Sequence, residues 1–103
     1  MSLERAVKRI TSEPAAFFGL HDRGVLAPGM AADVTIFDAE RIGSGNRPET
    51  RTDLPGGGLR LVMPAEGVHY TIVNGAVLYE AGRYSGQLPG KVLRADNPSI
   101  NAR

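Results

Sequence analysis

The sequence predicts a mainly β domain, a small β-sandwich or open barrel, with two short helices at its N-terminus. Three observations predict this class. The 13 glycines and 7 prolines among 103 residues imply many turns, which favours short strands over long helices. Two apolar runs flank an Asn-Gly pair at residues 74 and 75, the pattern of a β-hairpin. Apolar residues at helical spacing are confined to the N-terminal segment.

The first helix is predicted from a cap and an apolar stripe. Ser2 suits the cap position because its hydroxyl can accept a hydrogen bond from a free first-turn amide. A stripe at the i, i+3, i+4, i+7 spacing follows, and a stripe this narrow must pack on another surface. Its members are Leu3, Ala6, Val7 and Ile10.

A second short helix is expected directly after the first. Thr11 or Ser12 is its predicted cap. Pro14 falls in the first turn, where its missing N–H costs nothing. Gly19 is the predicted C-terminal stop, because glycine readily adopts the left-handed conformation that ends many helices.

The first strand is predicted after a tight turn. Residues 27–30 fit a type II turn, since Pro28 presets φ at the second position and Gly29 supplies positive φ at the third. Residues 33–38 then have strand composition with apolar side chains on both faces, which favours an inner strand over an edge strand. The side chains concerned are Val34 and Ile36 on one face and Thr35 and Phe37 on the other.

The hairpin around Asn74-Gly75 is the clearest local signal. A type I′ turn requires positive φ at both central positions, which asparagine and glycine tolerate. If the turn fixes the register, cross-strand partners follow by counting outward. The expected pairs are Val73–Ala76, Ile72–Val77, Tyr70–Tyr79 and His69–Glu80, with Tyr70, Ile72, Val77 and Tyr79 on one buried face.

Three regions are expected along the chain. Residues 1–20 hold the helices, residues 21–94 form the β domain, and residues 95–103 are a loose C-terminal tail. Within the β domain, the composition of residues 39–66 predicts a long loop with a short strand near Leu59–Val62. A loop of this length is usually functional or packed against a partner.

Composition excludes several classes of function. The formal net charge of +1 gives no nucleic-acid footprint, and no apolar run approaches the ~20 residues of a membrane helix. Without cysteine there is no disulfide, thiolate metal site or cysteine nucleophile. We therefore expect a cytoplasmic protein with neither nucleic-acid nor membrane partners.

Several segments together resemble the end of a known enzyme family. Residues 3–15 resemble the last barrel helix of amidohydrolases, and residues 24–38 the strand that follows it. The Pro-Gly-Met-x-Ala-Asp pattern at residues 28–33 is typical of that superfamily. Narrower similarity to the D-aminoacylase, or N-acyl-D-amino-acid deacylase, branch comes from residues 53–57, 73–75 and 88–94.

This resemblance implies a two-part parent enzyme that hydrolyses non-peptide C–N bonds. Its catalytic part is a TIM-like barrel with zinc at the mouth, and a composite β-sandwich is built from both chain ends. A zinc-bound water attacks the amide carbonyl while a carboxylate acts as general base. The family's metal ligands precede the helix that begins here, so no catalytic residue, metal ligand or cofactor is expected within this chain. The expected partner is the barrel, and the expected role is to brace it.

The residues themselves offer little for catalysis. His21 and His69 are the two histidines, far apart and without paired spacing, and surface or hydrogen-bonded roles are favoured over metal ligation. Asp33 and Asp38 lie on opposite faces of one strand, which favours strand-end contacts over a shared metal. The glycines at 56–58 lack the strand and helix context of a phosphate-binding loop.

Two arginines remain as candidates for substrate binding. Arg51 and Arg60 bracket the loop that follows the Gly/Ser-rich segment. Guanidinium groups suit bidentate binding of a carboxylate, so this loop is a hypothetical contact to the substrate's carboxylate at the barrel mouth. The competing interpretation, solvated arginines on a surface loop, is favoured.

A different class of function is a stand-alone β-rich interaction or oligomerisation module. In that interpretation the apolar side chains of the two helices form a docking face for a second copy. The face comprises Leu3, Val7, Ile10, Phe17 and Phe18, with Ala6 in the same stripe.

Overall fold

The fold is mainly β with two short N-terminal helices, as the sequence predicts. The computed structural model describes residues 1–94, and the predicted loose tail, residues 95–103, lies outside the described residues. Helix α1 spans Leu3–Ile10 and α2 spans Ser12–Phe17. The strands are β1 (Val34–Phe37), β2 (Gly43–Ser44), β3 (Glu49–Arg51), β4 (Arg60–Val62), β5 (Ala65–Glu66), β6 (Val68–Val73), β7 (Ala76–Glu80) and β8 (Arg83–Tyr84), and a 3₁₀ turn covers Pro55–Gly57.

The helix ends follow the local signals closely. Ser2 caps α1, its Oγ accepting from the Arg5 N–H at 3.2 Å. Thr11 occupies the N-cap of α2, but its hydroxyl donates backward to the Val7 carbonyl at 2.6 Å instead of capping. Gly19 ends α2 at φ 72°, as predicted.

The main sheet has four antiparallel strands in the order β1-β6-β7-β8. β1 is therefore an edge strand, and the expectation of an inner strand is wrong for the described chain. Its composition still differs from that of a protected edge, which natural proteins usually mark with lysine, proline or charge. Val34 and Phe37 are half-buried, whereas Ile36 keeps 45% of its surface exposed.

The hairpin register is correct next to the turn and wrong beyond it. Asn74 and Gly75 have φ of 48° and 78°, and Val73–Ala76 and Ile72–Val77 pair as expected. The register then shifts, so that Thr71 faces Tyr79 and Tyr70 faces Glu80. A β-bulge adds one residue to β7, which moves the later side chains to the opposite face. The expected Tyr70–Tyr79 and His69–Glu80 pairs do not form.

Residues 43–66 form an excursion that is more ordered than the predicted loop. β2 pairs with β5 and β3 pairs with β4, each as a two-stranded antiparallel ribbon. The short strand expected near residues 59–62 is β4. At the base of the excursion, Gly67 packs against the backbone of Arg41 and Ile42.

Burial in the described chain is shallow. Among residues 1–94, Ala15 is the sole buried apolar residue. The strands are present, but the closed two-layer core of the predicted sandwich is not shown by these residues.

Candidate functional site

The two candidate arginines lie directly opposite each other on the β3–β4 ribbon. Arg51 pairs with Arg60 in the register of these strands. Like charges placed this way repel unless each has a counter-charge. Arg51 has Glu49, whose Oε2 accepts from Nη2 at 3.0 Å. The structure thus brings together the two residues predicted from sequence.

Arg60 is held by a bidentate ion pair. Its Nε and Nη2 donate to the two carboxylate oxygens of Asp53, both at 2.6 Å. The hydrogen bond to Arg60 lowers the pKa of the Asp53 carboxyl, and the same bond raises the pKa of Arg60. An incoming substrate carboxylate would have to displace Asp53, so the arrangement agrees with the favoured interpretation of surface-loop arginines.

A cleft of about 400 Å³ separates the excursion from the main sheet. The sheet contributes Thr35, Thr71 and Tyr79, and the excursion contributes an apolar wall with Arg51 at its side. Tyr79 reaches the face of Thr71 because of the bulge in β7. The wall residues are Val62, Met63 and Pro64. This lining combines hydroxyls, apolar groups and the imidazole of His69.

The histidines line two different pockets. His21 belongs to the segment that follows α2 and lines one pocket. His69 lines the cleft between the excursion and the main sheet. Residues 1–94 contain no group of three or more His, Cys, Asp or Glu side chains able to hold a metal ion. A catalytic zinc needs about three convergent protein ligands. The donor set of the described chain therefore does not fit a zinc site.

The two aspartates that flank β1, Asp33 and Asp38, make strand-end contacts, as expected. The Oδ1 of Asp38 accepts from the Glu40 N–H at 3.0 Å, the geometry of an Asx turn. Asp33 accepts from the Asn74 N–H at 2.8 Å and from Arg23 Nε at 3.0 Å. Neither carboxylate is directed at a shared ligand.

Arg23 is the residue that sequence reasoning missed. Its side chain is only 16% exposed and bonds to Asp22, Asp33 and Asn74. Asn74 Nδ2 in turn donates to the Pro89 carbonyl at 2.8 Å. These bonds join four segments that are distant in sequence. The nearest sequence signal is Asn74, and the Asn-Gly pattern predicts its turn conformation but no contact of its side chain.

Comparison with known proteins identifies the family. Residues 1–79 match the family model described as "Amidohydrolase family". The chain belongs to the amidohydrolase family. The D-aminoacylase-like resemblance also holds. N-acyl-D-glutamate deacylase of Alcaligenes xylosoxydans xylosoxydans is 35% identical over 96 residues, covering 93% of this chain and 17% of that enzyme.

Other amidohydrolases are similar at comparable identity. D-aminoacylase of Alcaligenes xylosoxydans xylosoxydans is 35% identical over 91 residues, covering 88% of this chain and 17% of that enzyme. Dihydroorotase of Lactobacillus johnsonii is 33% identical over 85 residues, covering 79% of this chain and 19% of that enzyme. The chain spans less than a fifth of the length of these curated relatives. No solved structure matches it.

No helix described in residues 1–94 combines the length and apolar character needed to cross a membrane.

Proposed function

We propose that this chain is the C-terminal supporting region of a metal-dependent hydrolase of non-peptide C–N bonds. The family match over residues 1–79 carries the proposal. N-acyl-D-amino acids are the proposed substrates of the whole enzyme, since two of the similar proteins are by name deacylases of such compounds and a third is named D-aminoacylase. The dihydroorotases cover less of this chain, 79% against 93% for the N-acyl-D-glutamate deacylase.

The zinc of the whole enzyme is proposed to be bound outside residues 1–94. The described donor set does not fit a zinc site, because its two histidines lie in separate pockets and no acidic cluster completes either one. No catalytic step is assigned to residues of this chain. A cytoplasmic location stays a prediction from sequence.

The proposed supporting role is to brace the catalytic barrel and complete a composite sandwich. Two surfaces support it. β1 exposes an unpaired edge with apolar residues on both faces. The helices expose Ile10 by 77% and Phe17 by 83%. Surfaces of this kind are usually covered in the complete molecule.

A domain exchange tests the supporting role. Residues 3–94 replace the matching region of N-acyl-D-glutamate deacylase from Alcaligenes xylosoxydans xylosoxydans, and hydrolysis of N-acetyl-D-glutamate is measured. We expect a folded, active hybrid, and loss of activity when Ile10→Asp and Phe17→Asp are added to the helices. A control hybrid with Lys8→Asp and Arg9→Asp changes exposed polar positions of α1 and is expected to stay active. A hybrid that is folded by circular dichroism and inactive would contradict the proposal.

The isolated 103-residue chain provides the complementary assay. With zinc present we expect no hydrolysis of N-acetyl-D-glutamate, because the described residues cannot form the metal site. Turnover by the chain alone, abolished by a chelator, would show that the chain is catalytic and would overturn the supporting role.

The second candidate function is a stand-alone β-rich interaction or oligomerisation module. The specific observation in its favour is the exposure of the helical face, including the edge-to-face pair of Phe17 and Phe18. The face predicted for association comprises Leu3, Val7, Ile10, Phe17 and Phe18. Light scattering distinguishes the two: concentration-dependent dimers that Phe17→Asp abolishes favour the module, and a monomer at all concentrations excludes it.

A further inference from the structure

A second pocket, of about 440 Å³, lies between the segment after α2 and residues 91–94. We call it the basic pocket, because Arg23, Lys91 and Arg94 line it. Its volume is within the range typical of small-molecule sites. It is separate from the cleft between the excursion and the main sheet, which Arg51 lines, and the two pockets share no lining residue.

The wall of the basic pocket is held in place by specific contacts. Asn74 Nδ2 donates to the Pro89 carbonyl at 2.8 Å, which fixes the segment leading to Lys91. On the other side, Arg23 is locked between Asp22, at 2.8 Å, and Asp33, at 3.0 Å. The two walls meet at Asn74, whose Oδ1 accepts from Arg23 Nη2 at 3.3 Å.

The charges that line the basic pocket do not cancel. Two carboxylates, Asp22 and Asp33, neutralise Arg23. Lys91 and Arg94 have no ion pair with a carboxylate of residues 1–94. Within residues 1–94, the three cations Arg23, Lys91 and Arg94 thus exceed the two carboxylates by one positive charge, and Lys91 and Arg94 are the two cations without a carboxylate partner there. An oxyanion is the complementary ligand, because lysine supplies a point charge and arginine a planar donor fork.

We propose that the basic pocket binds a small oxyanion, a carboxylate or phosphate group, through Lys91 and Arg94. Arg23, held by Asp22, Asp33 and Asn74, forms the fixed back wall of the pocket. The proposal does not depend on the catalytic role assigned to the whole enzyme, because it concerns contacts made within this chain.

Titration of the full 103-residue chain followed by amide NMR shifts tests this site. Glutarate and inorganic phosphate are the probes, each compared with sodium chloride at equal ionic strength. We expect saturable shifts at residues 19–23 and 91–94 with at least one probe and not with chloride. Saturation by glutarate alone would assign the site to carboxylates, and saturation by phosphate alone would assign it to phosphates.

Variants separate a built site from general attraction of anions. Lys91→Gln with Arg94→Gln is expected to weaken binding at least about tenfold, the loss typical of charge-assisted hydrogen bonds. Lys8→Gln with Arg9→Gln removes the same charge from α1 and should change the affinity less than about twofold. Equal weakening by both double variants would overturn the proposal, as would shifts that chloride reproduces. All four positions are exposed, so neither variant is expected to disturb folding.

Discussion

The main-chain N–H of Asn74 donates to the carboxylate of Asp33 at 2.8 Å, across 41 positions of sequence. The same carboxylate accepts from Arg23 Nε through its second oxygen. The side-chain amide of Asn74 also donates a hydrogen bond to the carbonyl of Pro89. The hairpin turn is therefore tied to the start of β1 and to the segment beyond β8, and a chain with little buried core uses polar contacts to hold these parts together.

The first prediction concerns Asp33. Asp33→Ala leaves the Asn74 N–H and Arg23 without their acceptor, so the free energy of unfolding should fall by about 1–2 kcal/mol, a range set by partial exposure of the carboxylate. Urea denaturation measures the change. Asp22→Ala is the matched control, since that carboxylate is more exposed and its ion pair is with Arg23, and its effect should be at most about 0.5 kcal/mol. Equal losses from both variants would contradict the special role of Asp33.

Local sequence signals predicted local structure well. Ser2, Gly19 and the type II turn, where the Met30 N–H donates to the Ala27 carbonyl at 3.1 Å, all occur where expected. Each of these features depends on the conformational preference of one or two residues, and such preferences follow from residue type alone.

Features that depend on distant parts of the chain were not predicted. The bulge in β7 changes the partners of Tyr70 and Tyr79, and counting outward from a turn contains no information about an inserted residue. The edge position of β1 was not predicted, because the pattern of apolar residues indicates which faces of a strand are buried but not how many strands pair with it. Of the candidate site, sequence identified Arg51 and Arg60 but not the carboxylates that hold them.

The second prediction concerns the close approach at Gly67. A Cβ at this residue would lie 2.6 Å from the Ile42 nitrogen, and its φ of 79° is already unfavourable for other residues. Gly67→Ala should therefore lower the free energy of unfolding by about 2–4 kcal/mol, from backbone strain plus overlap with backbone atoms.

Gly82→Ala is the matched control for this substitution. Gly82 has φ of 80° but no heavy atom within 4 Å of a built Cβ. Gly82→Ala should lower the free energy of unfolding by about 1 kcal/mol, because only the backbone conformation is unfavourable for alanine. Chemical denaturation of both variants measures the difference, and equal costs would show that the contact with Ile42 does not matter.

The third prediction concerns pH and the Arg60–Asp53 pair. Because Arg60 lowers the pKa of Asp53 below its ordinary 3.8, the pair's contribution to stability is present above about pH 4 and is lost as pH falls through the depressed pKa. Arg60→Gln should raise the Asp53 pKa toward 3.8, as measured by carboxyl-carbon NMR. Arg51→Gln, which removes a more distant charge, should raise it less. If both variants shifted it equally, the bidentate contact would not be the cause.

The fourth prediction tests the shifted hairpin register. Glu80 faces Tyr70, and its hydrogen bond raises the pKa of the Tyr70 phenol above 10.0, with the negative charge of Glu80 adding to the effect. The stabilisation is present below about pH 10 and is lost as pH rises through the raised pKa, because the tyrosinate cannot donate to a carboxylate. Ring-carbon NMR of labelled tyrosine should show the Tyr70 pKa falling toward 10.0 in Glu80→Gln.

His69→Gln is the control that separates the two registers. In the unshifted pairing His69 would face Glu80, and its removal would release the carboxylate and alter its surroundings. In the observed pairing the His69 carbonyl accepts from the Ala81 N–H at 2.8 Å, a backbone bond that the substitution leaves intact. The Tyr70 pKa should therefore stay unchanged in His69→Gln. A Tyr70 pKa that Glu80→Gln leaves unchanged would contradict the bulge in β7, because in the unshifted pairing Glu80 lies opposite His69 and away from Tyr70.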